Sequence, residues 1–197
     1  LYQFHDNGFP ADKAEPVRET LEELVKEGKL RAYGWSTDFA DRAEVFAQGK
    51  NCTSIQLQLN VLDDNTEVIA LCEKYNLAAI NRGPLAMGLL SGKYTASSKP
   101  SIDDVRGEKS PEWMKYFKDG KPSSEWMKKR EAVQEILKSR GRTLAQGALA
   151  WLWARSEQTL PIPGFRTVAQ VEENCGAMQF GALTVEQMNE IETLSKR

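Results

Sequence analysis

"LPIPGFRTVAQVEEN", residues 160–174, decides how the chain is read. A short apolar run ends at Pro163-Gly164, as a strand closing on a turn does, and the residues after it have the spacing of a helix. Thr167 and Gln170 stand three apart, the pattern of a capping box in which two side chains serve the first orphan N–H groups of a helix. Arg166 stands at the mouth of that helix, where unpaired N–H groups already make the potential positive. A cation there is mildly unfavourable unless an anion lies between them. The stretch therefore predicts either a plainly capped helix or a helix start that holds a phosphate.

The same strand-then-helix unit recurs along the chain. Apolar segments at 1–5, 30–36, 53–62, 77–83 and 159–164 are each followed by a stretch of helical period, which predicts a parallel sheet in an α/β fold whose strand order stays open. Residues 16–27 open with Pro16, place Val17, Leu21, Leu24 and Val25 on one face and stop at Gly28. Residues 65–75 turn Val68, Leu71 and Cys72 inward, 143–155 is the most apolar helix, and 184–196 opens on a Thr184/Gln187 capping box. Residues 95–124 break the rhythm. They are polar and rich in Ser, Pro and Lys, with Trp113, Tyr116 and Phe117 among them, and read as either a lid or a short surface helix.

Composition narrows the classes. A chain of 197 residues can bury one ordinary core, and so forms one domain or a large part of one. Apolar residues at 41% and charged residues at 27% are the proportions of a soluble globular protein. A net charge of −2 favours neither nucleic acid nor an anionic membrane surface, so any anion site must be local. Cys52, Cys72 and Cys175 are odd in number and widely spaced, with no C-x-x-C and a single His, which predicts packed, reduced thiols in the cytoplasm and no metal site. No apolar run approaches the ~18 residues of a membrane helix. The chain begins "LYQFH" rather than with Met, an alternating segment that reads as the middle of something.

Two phosphate-loop patterns fail. "GLLSGK" (88–93) has three residues between its glycines where four are needed, and Tyr94 stands where a magnesium-binding Ser or Thr belongs. No G-x-G-x-x-G follows a strand, so a Rossmann site is not indicated. The 162–174 stretch survives: Arg166 and free N–H groups suit a phosphate monoester, and Glu173 with Asn174 can hydrogen-bond a purine edge. Phosphate beside purine is what the 2′-phosphoadenosine end of NADP presents. In parallel α/β folds chemistry collects at the carboxyl ends of strands, and His5, Ser36, Arg82 and Gly164 all fall at such ends.

These residues carry a resemblance. "LYQFH", "KEGKLRAYGWST", "SIQLQLNVLDDN", "NRGPLAMGLLSGKY", "ALAWLWAR" and "LPIPGFRTVAQVEEN" follow one another as in the aldo-keto reductase superfamily, and look most like the bacterial branches with "RGPL" in place of "YSPL". The resemblance covers essentially the whole chain and implies a (β/α)8 TIM barrel that binds NADPH across the carboxyl ends of its strands. It implies that His5 belongs to the catalytic tetrad and orients or polarises a small carbonyl substrate. Ser36 and Gln56 match residues that hydrogen-bond the nicotinamide carboxamide, while Thr37 stands where Asn is usual. Arg82 takes the place of the Tyr that stacks on nicotinamide, and a planar guanidinium stacks too. The resemblance implies that the backbone of Gly83, Leu85, Met87 and Gly88 lines the pyrophosphate. Arg166 and Thr167 match the 2′-phosphate grip, with Glu173 and Asn174 at adenine. Gln170 replaces a frequent adenine-facing Arg, and Gly164 replaces the Lys of some branches.

A family barrel has eight strands and these residues offer five, which the resemblance matches to the fourth through eighth of a single partial barrel domain over 1–197. The tetrad's Asp, Tyr and Lys have no counterpart here. Tyr2 is no substitute, because it lies three positions from His5 and so points to the opposite face of a strand. Five parallel strands also leave two open edges. The expectation is a truncated portion of an NADPH-dependent reductase, incomplete by itself and covered by the missing N-terminal half or by self-association. The alternative is a non-catalytic NADP(H)-sensing protein of the same fold.

Overall fold

The computed structural model describes residues 1–195, so Lys196, the last residue of the expected 184–196 helix, lies outside the described residues. The chain divides into two compact units. The first comprises residues 1–59, 63–82 and 155–162 and contains a five-stranded sheet. Its strands are β1 (Tyr2–Phe4), β2 (Tyr33–Ser36), β3 (Cys52–Gln58), β4 (Ala78–Arg82) and β7 (Thr159–Pro161), all parallel and neighbours in that order. All five expected strands are present. The order never reverses, so the sheet lacks the switch point at which doubly wound folds bind ligands and has instead the singly wound course of a barrel wall.

Helices α1 (Ala14–Lys26), α2 (Ala40–Ala47) and α3 (Thr66–Tyr75) return the chain between successive strands of this unit. Helix α1 starts two residues before Pro16, after a short 3₁₀ turn, and ends at Lys26, with Gly28 turning the chain away at φ +75°. Of the expected inward residues only Leu21 is fully buried, while Val17, Leu24 and Val25 are half-buried. Register sorts the side chains of the sheet into two faces. Phe4, Trp35, Ile55 and Ala79 align across four strands on one face. There the Trp35 and Phe46 rings lie 4.6 Å apart and Phe4 sits 5.3 Å from Trp35, an aromatic cluster that anchors α2 to the sheet. The opposite face carries Gln3, Gly34 and Ser54 in one row, Ser36 and Gln56 in the next, and Gln58 beside Arg82 in the last. Gly34 is dictated by crowding, since a Cβ there would meet the Ser54 carbonyl at 2.3 Å.

At the amino end of the sheet Glu22 of α1 gathers three donors. Tyr33 Oη donates at 2.7 Å, Asn51 N–H at 2.9 Å and Asn51 Nδ2 at 2.5 Å. Burial pushes the Glu22 carboxyl up, but these bonds and the charge of Arg18 outweigh it and hold it below the usual range.

The second unit comprises residues 60–62, 83–154 and 163–197. It contains a hairpin of β5 (Phe117–Lys118) and β6 (Lys121–Pro122), with helices α4 (Ser124–Lys138), α5 (Leu144–Arg155), α6 (Val168–Gly176) and α7 (Val185–Ser195). As expected, α5 is the most buried helix. Residues 95–123 form turns and the hairpin, so the surface-helix reading of this stretch does not hold. Tyr116 and Phe117 are buried, with Phe117 edge-on to Tyr94 at 4.9 Å, whereas Trp113 is 64% exposed. Cys52 and Cys72 are packed thiols, pushed up by burial to about 11 and about 12. Cys175 departs from expectation: it lies on the outer side of α6 and is exposed.

Glu22→Gln should lower stability by about 1–3 kcal/mol, the cost of a disrupted, partly buried hydrogen-bond cluster. Because the folded carboxyl is held below 4.5, the contribution is complete above that pH and fades as pH falls through the depressed value. Urea unfolding of both proteins at neutral and acid pH should show the gap narrowing on acidification.

Candidate functional site

In the first unit the expected residues meet at the carboxyl ends of β2, β3 and β4. Ser36 closes β2 and its hydroxyl donates to Gln56 Oε1 at 3.2 Å. Thr37 is fully buried, its N–H donating to the Gln56 carbonyl at 2.9 Å and its hydroxyl accepting from Phe39 N–H at 3.3 Å. His5 follows β1 and is exposed.

Arg82 ends β4 and is clamped by two residues that the sequence reading missed. Its Nη2 donates to Asp38 Oδ2 and its Nη1 to Gln58 Oε1 at 3.2 Å. Asp38 is itself held, since its Oδ1 accepts from Gln58 N–H at 2.7 Å. Hydrogen bonds from a guanidinium lie in its plane, so this clamp fixes the plane and leaves the flat face for stacking. The Gln58 signal was in the sequence: it follows Gln56 by two and so shares its face of the strand.

In the second unit the chain turns sharply after Arg82. Gly83, Ala86, Met87 and Gly88 all have positive φ, at 63°, 47°, 54° and 91°. For Ala86 and Met87 this is a strained conformation held by its surroundings. Asn60 Nδ2 donates to the Gly83 carbonyl at 3.0 Å and to Tyr116 Oη at 2.9 Å. Arg106 Nη1 donates to the Met87 carbonyl at 3.0 Å. Leu85, Met87 and Gly88 are half-buried, with Leu89 and Leu90 fully inside.

At α6 the capping reading holds. Thr167 is the N-cap and its hydroxyl accepts from Gln170 N–H at 3.3 Å. Gln170 Oε1 accepts from Arg166 N–H at 2.7 Å, so the side chain expected near adenine is engaged in closing the helix start. Arg166, Thr167 and Gly164 are exposed. A Cβ on Gly164 would meet nothing within 4 Å and its φ is unremarkable, so neither space nor backbone demands glycine there. Asn174 is buried, and the Glu173 carbonyl accepts from Gln146 Nε2 at 3.1 Å. Among the described residues no cluster of His, Cys, Asp and Glu could hold a metal ion, and no helix is long and apolar enough to cross a membrane.

The Aldo/keto reductase family model matches residues 1–196, and the chain belongs to that family of oxidoreductases. It is 31% identical over 176 residues to pyridoxal reductase, chloroplastic, of Arabidopsis thaliana, covering 85% of this chain and 45% of that protein. It is 27% identical over 172 residues to aldo-keto reductase yakc of Schizosaccharomyces pombe, whose name specifies NADP(+), covering 84% of this chain and 48% of that one. Among solved structures, the glycerol dehydrogenase AKR11B4 from Gluconobacter oxydans superposes with a TM-score of 0.76 at 25% identity, covering 98% of this chain and 57% of that one. The parallel sheet is thus part of the family's TIM-barrel fold. The chain spans about half the length of the curated relatives it matches.

Gly88→Ala should destabilise the protein by about 1–3 kcal/mol, because φ is +91° and a Cβ would sit 3.3 Å from both Arg106 Nη1 and Tyr94 Cε2. Thermal unfolding reads this directly, and Gly164→Ala, with open space and ordinary backbone, should leave the midpoint unmoved.

Proposed function

We propose that the complete protein containing this chain is an NADP(H)-dependent oxidoreductase that reduces aldehydes or ketones to alcohols. Its five strands correspond to the fourth through eighth of the family barrel, in a single domain, and its three unbridged cysteines suit a reducing compartment such as the cytoplasm. The observation that carries the reading is the exposed Arg166 beside the N-cap of α6, a cation at a positive helix end that an anion reconciles.

The donor set fits the group. Arg166 and Thr167 would grip the 2′-phosphate, and Glu173 and Asn174 would face adenine. The backbone of the turn from Gly83 through Gly88 would border the pyrophosphate. Gln56 Nε2 would donate to the carboxamide oxygen while Ser36 supplies an acceptor, and the fixed plane of Arg82 would support the nicotinamide ring. When bound, NADPH supplies a hydride to the carbonyl carbon. His5 would donate an imidazole N–H to the carbonyl oxygen, drawing charge toward it and aligning the carbon. The proton that completes the alcohol would come from the tetrad's Tyr, which has no counterpart among these 197 residues.

Arg166→Ala should weaken NADPH binding by roughly 1.5–3 kcal/mol, the range of a charge-assisted hydrogen bond, and NADH binding far less. Fluorescence titration of both nucleotides tests this, and equal loss for both contradicts the phosphate assignment. Tight binding by the complete protein with no turnover of any aldehyde or ketone would favour the second reading, an NADP(H) sensor.

A further inference from the structure

In the first unit Asp38, just past the end of β2, is held by four hydrogen bonds. Its N–H donates to Asn7 Oδ1 at 2.9 Å and its carbonyl accepts from Asn65 Nδ2 at 3.0 Å. Its Oδ1 accepts from Gln58 N–H at 2.7 Å, and its Oδ2 accepts from Arg82 Nη2. The first two bonds are made by the backbone and need no particular side chain. The third needs only a side-chain oxygen, which Asn would supply as well as Asp. A negative charge is required by Arg82 alone. That guanidinium ends β4, keeps about a third of its side chain in solvent and is held through Nη1 by Gln58 Oε1 at 3.2 Å. It is a cation with a fixed counter-charge, and its plane cannot turn without breaking the pair.

We infer that Asp38 sets the relative affinity of the site for oxidised and reduced nicotinamide, by offsetting the charge of Arg82. The inference rests on the placement of Arg82 against the nicotinamide ring proposed above. A dihydronicotinamide ring is neutral and electron-rich, whereas the oxidised ring carries a positive charge. A bare guanidinium stacked on the ring would attract the first form and repel the second. A carboxylate bonded to that guanidinium answers the repulsion and brings the two affinities together. Asp38 is thus a positioning residue: it touches Arg82 and acts on the ring only through it and through the charge balance of the pair.

The probes are NADP(+), NADPH and 2′-phospho-ADP-ribose, which lacks the nicotinamide, titrated calorimetrically into the complete protein and its Asp38→Asn, Arg82→Gln and doubly substituted forms. Asp38→Asn should raise the ratio of the NADP(+) to the NADPH dissociation constant about two- to fivefold, the range of a partly exposed charge pair, and leave 2′-phospho-ADP-ribose unchanged. Arg82→Gln, which leaves the Asp38 charge unanswered, should lower the same ratio, and the double substitution should return it close to the wild-type value. Asp38→Glu, which keeps the charge, should keep the wild-type ratio. A purely structural role would weaken both nucleotides together, so an unmoved ratio in Asp38→Asn overturns the inference. Shifts of the same sign in Asp38→Asn and Arg82→Gln overturn it too, because charge balance requires opposite signs. Equal weakening of 2′-phospho-ADP-ribose and NADP(+) by Asp38→Asn would report a loosened fold and contradict the electrostatic account. If Arg82→Gln leaves the ratio unmoved, the placement of Arg82 against the ring fails and the inference with it, while binding of 2′-phospho-ADP-ribose still upholds the phosphate grip. Failure of the complete wild-type protein to bind any of the three contradicts the proposed function itself.

Discussion

Parallel pairing in sequence order is the constraint from which the rest of the first unit follows. Five strands that run the same way place their carboxyl ends along one edge of the sheet, so residues far apart in sequence become neighbours there. Ser36 and Gln56 stand opposite each other only because β2 and β3 pair in that register, and Gln58 reaches Arg82 for the same reason between β3 and β4. A slip of one residue would turn these polar side chains toward the face that packs Trp35 and Phe46. The aromatic cluster on one face thus fixes the register that assembles the polar rows on the other.

The charged groups are handled by local closure rather than by deep burial. Arg82 keeps about a third of its side chain in solvent and is answered by Asp38, whose other oxygen is held by the Gln58 backbone. In the second unit Arg106 is answered by Asp104 and a backbone carbonyl. In both, a guanidinium with its in-plane donors engaged is rigid and still cationic, which suits recognition of a flat ring or a nearby anion. The strained turn at Ala86 and Met87 is secured by contacts to Arg106 and Asn60 on either side of it. Within the turn the Ala86 and Gly88 N–H groups donate to the Gly83 and Leu85 carbonyls, at 3.0 and 2.8 Å.

What the sequence made legible was local and periodic. The five strands, the burial of α5, and the caps at Thr167 and Thr184 all follow from alternation, helical spacing or a three-residue offset. A third box of the same spacing, Thr143 with Gln146, has reciprocal bonds of 3.0 and 3.2 Å and was equally readable. Asp38 was not, because its bond to Arg82 joins positions brought together only by tertiary register. Asp104 and Arg106 lie in a stretch rich in Ser, Pro and Lys that has no period to read. Tyr116 and Phe117 were set apart as aromatic residues in a polar loop, and their burial depends on Asn60 and Tyr94, which no spacing rule connects to them. The fold class and the family were visible in motifs, whereas the partners that orient the site residues were not.

The central claim, that of the proposed function, is that Arg166 and Thr167 at the start of α6 hold the 2′-phosphate of NADP(H). A crystal structure of the complete protein with NADP(+) tests it most directly. The account predicts the 2′-phosphate against Arg166 and Thr167. A cofactor seated elsewhere, or one whose 2′-phosphate makes no contact with Arg166, would contradict it.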